Sequence, residues 1–342
     1  MIKIEKEILT KAVKHFEKLT GLALEIKWDA GLPGNRAVDA KIRILKLKTN
    51  LYAAIKLNLT NQVLGVVAHQ IKEITKSEQA IIIARYVTPQ IADRLLHLNL
   101  QFLDTAGNAF INLPNLFLYI KGNKVTEQQI KEKPIRVFQP AGLKLIYALI
   151  CNPGLENKPY RLMAEKAQIA NGAVALAIKD LKKLGFLIDM GSKGRRIIRK
   201  KELLQRWINL YAELLRPKLI IGRYKTENIQ WWKQKELLNV GAQFGGETAA
   251  ALFTKYLKPQ NHTIYFGNNP GRLLLLLKLK NDPVGNIELL KKFWNFNNDA
   301  NNNNLVHPIL IYADLLATGD DRNLETAKII YEKEVIRYLR ED

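Results

Sequence analysis

The sequence predicts a multidomain α+β protein, because three consecutive segments of the 342-residue chain differ in their apolar patterns. Residues 1–132 mix strand-like and helix-like stretches, residues 133–206 contain short helices, and residues 207–342 are mainly helical with a few strands. Apolar residues make up 47% of the chain, which allows each segment a buried core. We therefore expect a mixed α/β domain, a small central domain and a C-terminal α+β domain, in that order.

The N-terminal segment begins with a predicted helix, in which Ile8, Val13 and Phe16 recur at helical spacing. The turn Asp104–Asn108 is expected to be structural rather than a binding site, because Asp and Asn bond to nearby backbone groups and Gly107 supplies a positive φ. In chain order we predict strands at 22–28, 38–48 and 51–59, a helix at 61–75, a buried strand at 80–86, a helix from Pro89 to about Leu98, a strand at 100–103 and a hairpin at 109–120.

The stretch 121–140 is charged and contains two prolines, which predicts a linker. Beyond it, the central segment has a helical rhythm. A first helix ends at Cys151-Asn152-Pro153-Gly154, and a second covers residues 161–167. Asn171 is a plausible cap for a third helix, which ends at Gly185. Strands at 186–190 and 195–199 then flank a tight turn at 191–194.

Three helices followed by a two-stranded hairpin are the order of elements in a winged helix-turn-helix. One side of the third helix is apolar, whereas the opposite side combines small residues and lysines, which suits a helix that lies in a DNA groove. The predicted DNA-binding residues on this helix and the hairpin are Asn171, Gly172, Ala175, Lys179, Lys182, Lys183, Lys193, Arg195, Arg196 and Arg199.

Positive charge is concentrated in the same segment. Residues 133–206 hold sixteen Lys and Arg against five Asp and Glu, an excess of eleven, whereas the whole chain has a net charge of +21. About half of the excess thus lies in about a fifth of the length, which indicates double-stranded DNA as the partner. The alternative is a winged helix that contacts protein, with solvated lysines.

In the C-terminal segment, residues 203–215 predict a helix that stops before Pro217, and residues 219–221 and 263–266 predict strands. An Asn-rich loop at 295–304 precedes two helices at about 307–317 and 323–340. The pair Gly245-Gly246 could cradle phosphate ahead of a helix, but capping and packing are favoured. We expect His307 and Asp314 to belong to a buried polar network that joins the last two helices.

Composition also excludes several classes of protein. With Cys151 as its single cysteine, the chain cannot form an internal disulfide framework and is a poor candidate for a zinc site. The N-terminus lacks an apolar core of signal-peptide length, and the run Leu273–Leu277 is too short to span a bilayer. We expect a cytoplasmic protein with no membrane partner and no cofactor.

Residues 161–196, RLMAEKAQIANGAVALAIKDLKKLGFLIDMGSKGRR, resemble the winged-helix domains of bacterial regulators. Four other stretches resemble the AbiEi-type antitoxins of type IV toxin–antitoxin systems, which are also transcriptional regulators. These stretches are ARYVTPQIADRLLHLNLQFLDTAGNAFI, RPKLIIGRY, AQFGGETAAAL and HPILIYADLLATGDDRNLETAKIIYE. The resemblance implies a bacterial autorepressor that binds its own promoter and counters a nucleotidyltransferase-type toxin without needing tight contact with it. A homodimer is compatible with this function.

The order of elements in residues 1–132 also resembles the PD-(D/E)XK nuclease fold, known from restriction endonucleases. In that family an Asp on one strand and a Glu-x-Lys on the next bind a divalent metal. Asp39 and Lys56 match two of these positions, but Ala54 replaces the second acid. The resemblance therefore implies a scaffold that has lost catalysis, unless Glu25 or Asp29 supplies the missing carboxylate. Asp39 and Lys56 are equally compatible with ordinary surface charges.

Three functions remain open at this point. The first is a DNA-binding regulator, not an enzyme, as the charge distribution favours. The second is a metal-dependent nuclease that the winged helix targets to DNA. The third is a protein scaffold that neutralises a toxin by direct contact.

Overall fold

The computed structural model describes residues 3–28, 38–56, 79–124, 135–228, 231–233, 241–267, 270–296 and 304–340, with single positions at 59, 64, 67, 68 and 71. They belong to two compact units, residues 1–133 and 134–342. Each unit contains helices and at least one sheet, so the predicted α+β class is confirmed. Most of the predicted helix 61–75, much of the predicted linker and most of the Asn-rich loop lie outside the described residues.

The first unit is built on a seven-stranded sheet whose strands lie side by side in chain order. Neighbouring strands are antiparallel except β3–β4 and β4–β5, which are parallel. Its strands are β1 (Leu24–Trp28), β2 (Ala40–Ile44), β3 (Thr49–Lys56), β4 (Ala80–Ala84), β5 (Phe102–Asp104), β6 (Ala109–Leu113) and β7 (Leu116–Ile120), and its helices are α1 (Lys3–Thr20) and α2 (Pro89–His97).

The core of the first unit lies between α1 and the sheet. The apolar stripe of α1, with Leu9 and Phe16 fully buried, packs against side chains of β2, β3 and β4. Strand β4 is buried along its whole length, as its sequence AIIIA predicts for a central strand. Each buried isoleucine or leucine stabilises the unit by about 1.5–3 kcal/mol.

The turn after β5 is structural, as predicted. The buried Asp104 carboxylate accepts hydrogen bonds from the backbone N–H groups of Val87, Ala106 and Asn108, at 2.8–2.9 Å. The Asn108 side chain donates a further bond at 2.7 Å, and Gly107 has a φ of +87°. Burial raises the pKa of Asp104, against the lowering effect of these bonds.

The described residues of the second unit form eight further α-helices. Helix α6 continues through a π-helical turn, Tyr211–Leu215, into Arg216–Leu219, and α10 continues through Tyr331–Val335 into Ile336–Tyr338. The helices are α3 (Pro140–Cys151), α4 (Tyr160–Ala167), α5 (Asn171–Lys183), α6 (Lys200–Leu210), α7 (Gly246–Thr254), α8 (Pro270–Leu276), α9 (Pro308–Thr318) and α10 (Asp321–Ile330).

The predicted stop before Pro217 is wrong, because the helical turn extends to Leu219. The π-helical turn immediately before Arg216 shifts the hydrogen-bonding pattern, and Pro217 occupies the first turn of the next helical piece. Its missing N–H is not required at that position.

Two sheets complete the second unit. The hairpin strands β8 (Leu187–Asp189) and β9 (Arg195–Ile197) form one of them. The other has five strands in the order β11-β12-β14-β10-β13, with a parallel pair β12–β14. Its strands are β10 (Ile220–Lys225), β11 (Gln243–Gly245), β12 (His262–Phe266), β13 (Lys280–Asn281) and β14 (Ile287–Lys291).

An aromatic cluster forms the centre of the second unit. Tyr147 on α3 stacks on Trp207 of α6 at 5.3 Å between ring centroids and contacts Phe293, Trp294 and Phe296 after β14. The Trp207 indole N–H donates to the Leu143 carbonyl oxygen at 2.8 Å. The central helices and the C-terminal elements therefore share one core, and the predicted domain boundary between residues 206 and 207 lies inside α6.

Within the described ranges, no helix has the length and apolar character needed to cross a lipid bilayer.

Candidate nucleic-acid interface

Helix α5 is positioned by the turn that precedes it. Helix α4 ends at Gln168 in the left-handed conformation (φ +50°), and the chain enters α5 through Ala170, which is the N-cap. The prediction that Asn171 caps the helix is wrong, because Asn171 lies one position later, in the first turn. Its side chain makes no capping bond and is exposed.

The two sides of α5 differ as the sequence predicts. Val174, Ala177, Ile178 and Leu181 are buried against the rest of the unit. The exposed residues of α5 are Asn171, Gly172, Ala175, Leu176, Lys179, Lys182 and Lys183, and we call this set the outer face of α5. Leu176 is the member that sequence reasoning missed, and 42% of its surface is exposed.

The hairpin that follows α5 is anchored by a side chain outside it. Asn157, ahead of α4, accepts a hydrogen bond from the Arg195 N–H at 2.6 Å and donates one to the Arg195 carbonyl oxygen at 2.9 Å. Gly194 has a φ of +80°, and a Cβ there would collide with the Asn157 amide oxygen. Asn157 therefore fixes the start of β9, which sequence reasoning did not foresee.

The cations of the hairpin are not equivalent. Lys193 and Arg196 are exposed. Arg195 is half-buried, and its guanidinium lies over the Tyr160 ring at 5.3 Å and donates to the Lys158 carbonyl oxygen at 3.4 Å. Lys193 and Arg196 are thus more exposed to solvent than Arg195.

Arg199 is engaged within the fold. Its guanidinium is paired with the Glu202 carboxylate and lies over the Phe186 ring at 4.9 Å. Arg206 binds the same carboxylate at 2.8 Å. Burial raises the pKa of Glu202, but the two guanidinium groups more than offset this and lower it overall. The spacing of Arg199, Glu202 and Arg206 on one helix face was the available signal for this cluster.

Lys182 also has an internal partner, because its ammonium lies 2.9 Å from the Asp189 carboxylate on β8. Hydrogen bonding to Lys182 lowers the pKa of Asp189. Both groups are exposed, so solvent screens the pair and it contributes little to stability. It links α5 to the hairpin and leaves Lys179 and Lys183 as the other lysines on the outer face of α5.

The nuclease-like positions lie together in the first unit. The Asp39 carboxylate accepts a hydrogen bond from the Ile55 N–H at 2.7 Å, next to Ala54, which is fully buried, and Lys56, which is 9% exposed. Glu25 does not replace the missing acid. It lies on β1, two strands or about 10 Å from β3. Glu25 is paired with Arg43 of β2, and Arg43 is paired with Asn50 of β3, so Glu25 is not aligned with Ala54.

The other candidate, Asp29, lies outside the described residues. Among the residues that the structure describes, no group of three His, Cys, Asp or Glu side chains could hold a metal ion.

Asp314 is the centre of a buried polar cluster in the second unit. Its carboxylate accepts hydrogen bonds from the Tyr211 hydroxyl at 2.8 Å, the Tyr265 hydroxyl at 3.0 Å and the Arg216 guanidinium at 3.1 Å. Arg216 also pairs with Glu288 at 2.6 Å. The cluster joins α9 to α6, β12 and β14.

Asp314 thus belongs to a buried polar network, as expected, but its partners lie on α6, β12 and α7 and not on the last helix. His307 is the N-cap of α9 and accepts from the Ile309 N–H at 3.3 Å, while its ring contacts Tyr338. Burial lowers the pKa of His307 to about 3, so this side chain is neutral at pH 7.

The glycine pair Gly245-Gly246 has a packing role, as favoured. A Cβ at position 245 would lie 2.5 Å from the Tyr265 ring. The Gly246 N–H at the start of α7 donates to Asp314 at 3.3 Å, so a carboxylate of the protein already occupies this helix N-terminus.

The comparisons with known proteins bear on the C-terminal part of the chain. Residues 196–336 match a family model described as "Transcriptional regulator, AbiEi antitoxin, Type IV TA system". No curated protein and no solved structure matches the chain. The matched segment contains RPKLIIGRY, AQFGGETAAAL and HPILIYADLLATGDDRNLETAKIIYE, the later three of the four stretches that resemble this family. Residues 196–336, less than half of the chain, are therefore similar to the AbiEi antitoxins, a family of transcriptional regulators of type IV toxin–antitoxin systems.

Proposed function

We propose that the protein is a DNA-binding antitoxin and that α3, α4, α5 and the β8–β9 hairpin form a winged helix-turn-helix that binds duplex DNA. One observation carries this proposal. Lys179 and Lys183 on the outer face of α5, with Lys193 and Arg196 on the hairpin, are exposed, while the opposite side of α5 is buried. A helix and a hairpin with these properties suit a major groove and the flanking phosphates.

The charge distribution supports a nucleic-acid partner. The excess of eleven positive charges within residues 133–206 attracts a polyanion from any direction. Each phosphate that a cation neutralises also releases condensed counterions, which makes the affinity steeply dependent on salt.

The remaining parts receive roles under the same proposal. Residues 1–132 act as a nuclease-like scaffold without catalysis, because Ala54 stands where a metal-binding acid is required. Residues 207–342 serve in ligand binding, partner contact or dimerisation, and the protein counters a nucleotidyltransferase-type toxin without needing tight contact with it. Binding to its own promoter makes the protein an autorepressor in the cytoplasm.

The test is fluorescence anisotropy with the full chain and labelled duplexes selected by the protein from a random library. Charge reversal at Lys193 and Arg196, as K193E/R196E, should weaken binding at least about ten-fold. It should also reduce the slope of log K against log salt by about 2, since each phosphate contact contributes about 0.9.

The matched control is K258E/K328E, which makes the same charge change at exposed positions of the C-terminal part. It should lower affinity only slightly, through the net charge. Equal losses of affinity in the two variants would show that the hairpin is not part of the DNA interface. Failure of the wild-type chain to bind any duplex, combined with capture of the toxin at high salt, would favour the scaffold function instead.

A further inference from the structure

The first two turns of the outer face of α5 lack charged side chains. They expose Asn171, Gly172, Ala175 and Leu176, and the first cation, Lys179, follows one turn later. Of these four, only Asn171 has a side chain that can form hydrogen bonds. Any partner of this part of the helix therefore meets mainly backbone, a methyl group and an isobutyl group.

Gly172 has no evident role in the fold. Its φ is not in the left-handed region, and a Cβ added to it would meet no atom within 4 Å. A glycine in open space, one turn before the exposed Leu176, allows another molecule to approach the backbone of α5 closely.

The major groove of DNA offers one apolar group, the C5 methyl of thymine. Guanine and cytosine present acceptors and amino donors there, which Ala175 and Leu176 cannot pair and would desolvate. Asn171 can form a bidentate pair with adenine, the partner base of thymine. The lysines at 179 and 183 follow on the same exposed face of the helix, where they are available to phosphates next to the contacted bases.

We propose that α5 recognises thymine methyl groups, with Leu176 and Ala175 as the specificity-determining contacts and Gly172 allowing the helix to approach the base edges. It rests on the proposed function, and it specifies the ligand as duplex DNA with A·T pairs at the centre of the contacted site.

The experiment removes the methyl groups and nothing else. Duplexes selected by the full chain are resynthesised with uracil in place of thymine, either at the A·T pairs of the selected core or, as a control, at the flanks. Each lost methyl contact should weaken binding about four-fold, the equivalent of one buried carbon. Flank substitution should leave the affinity unchanged.

Variants of the protein identify the contact. In L176A the preference for thymine over uracil duplexes should be smaller than in the wild type, because one of the two side chains that contact the methyl groups is gone. G172A should weaken binding to both duplexes by a similar factor, while its unfolding temperature stays equal or rises. An unchanged or higher unfolding temperature would show that the weaker binding comes from lost contact with DNA and not from lost stability.

Tight duplex binding that is indifferent to uracil, or a uracil effect that persists unchanged in L176A, would overturn the inference while the proposed function survives. Selection of a G·C-rich core would do the same. If the wild-type chain binds no duplex, the proposed function and this inference fall together.

Discussion

Replacement of Asp314 by alanine should lower the free energy of unfolding of the unit 134–342 by about 3–5 kcal/mol at pH 7. The carboxylate is fully buried and accepts from Tyr211, Tyr265, Arg216 and the Gly246 N–H. Its removal leaves the Gly246 N–H without this acceptor and a largely buried guanidinium without one of its two carboxylates. The two tyrosine hydroxyls keep the bond to each other, at 2.5 Å, which limits the loss.

Two further variants distinguish the effect of the Asp314 charge from the effect of its side-chain volume. D314N keeps the volume and one acceptor oxygen and should lose less than D314A. The double variant D314A/R216A should be more stable than the sum of the single effects predicts, by about 1–3 kcal/mol, because it removes the unpaired cation.

The assay is urea unfolding followed by tryptophan fluorescence. Four of the five tryptophans, including Trp207 and Trp294, belong to the unit 134–342, so the signal reports mainly on that unit. A loss below about 1 kcal/mol for D314A, or strict additivity in the double variant, would refute the view that this cluster is a cooperative support of the fold.

Two other predictions concern pH and the hairpin. His262 and His307 have folded-state pKa values lowered, mainly by burial, to about 4 and about 3, so the unfolded chain binds protons first. The free energy of unfolding should be constant above about pH 6.5 and should fall by up to about 1.4 kcal/mol per pH unit for each histidine below that pH. The H262N variant should show a smaller fall in urea titrations at pH 5–7. Asn157→Ala should weaken duplex binding several-fold with little change in unfolding midpoint, because it releases Arg195 and the hairpin rather than the core, whereas a variant with unaltered affinity would show that the hairpin needs no such anchor.

Local periodicity predicted α5 well and its surroundings less well. The 3.6-residue spacing of Val174, Ala177, Ile178 and Leu181 places these residues on one side of any helix, whatever it packs against, and the structure buries them. The cap prediction at Asn171 failed because backbone geometry, set by the left-handed Gln168, puts Ala170 in that position. Arg199 was counted as an external cation although Glu202 lay within one turn of it.

Long-range pairing was harder to predict than local structure. Strands β11 and β13 contain three and two residues, too few to give a periodic signal. Asp314 was correctly placed on a buried helix, but its partners Tyr211 and Tyr265 are 103 and 49 residues away. No spacing rule connects positions so distant, and only packing brings them together.

The aromatic cluster around Tyr147 has a consequence for how this protein can be divided. A fragment that ends at residue 206 would strip Trp207, Phe293 and Trp294 from Tyr147, exposing rings that each bury roughly 150–250 Å². Helices α3 to α5 are therefore not an independently folding domain that could be transferred to another protein. The segment after β14 also holds the turn before α5, through the Asn295 N–H to the Lys166 carbonyl oxygen at 2.8 Å and the Gln168 amide to the Trp294 carbonyl oxygen at 3.2 Å. A molecule that displaces residues 294–296 would break these two hydrogen bonds and so alter the turn before α5. If such binding changes the affinity of α5 for its ligand, that ligand changes the affinity for the molecule by the same factor.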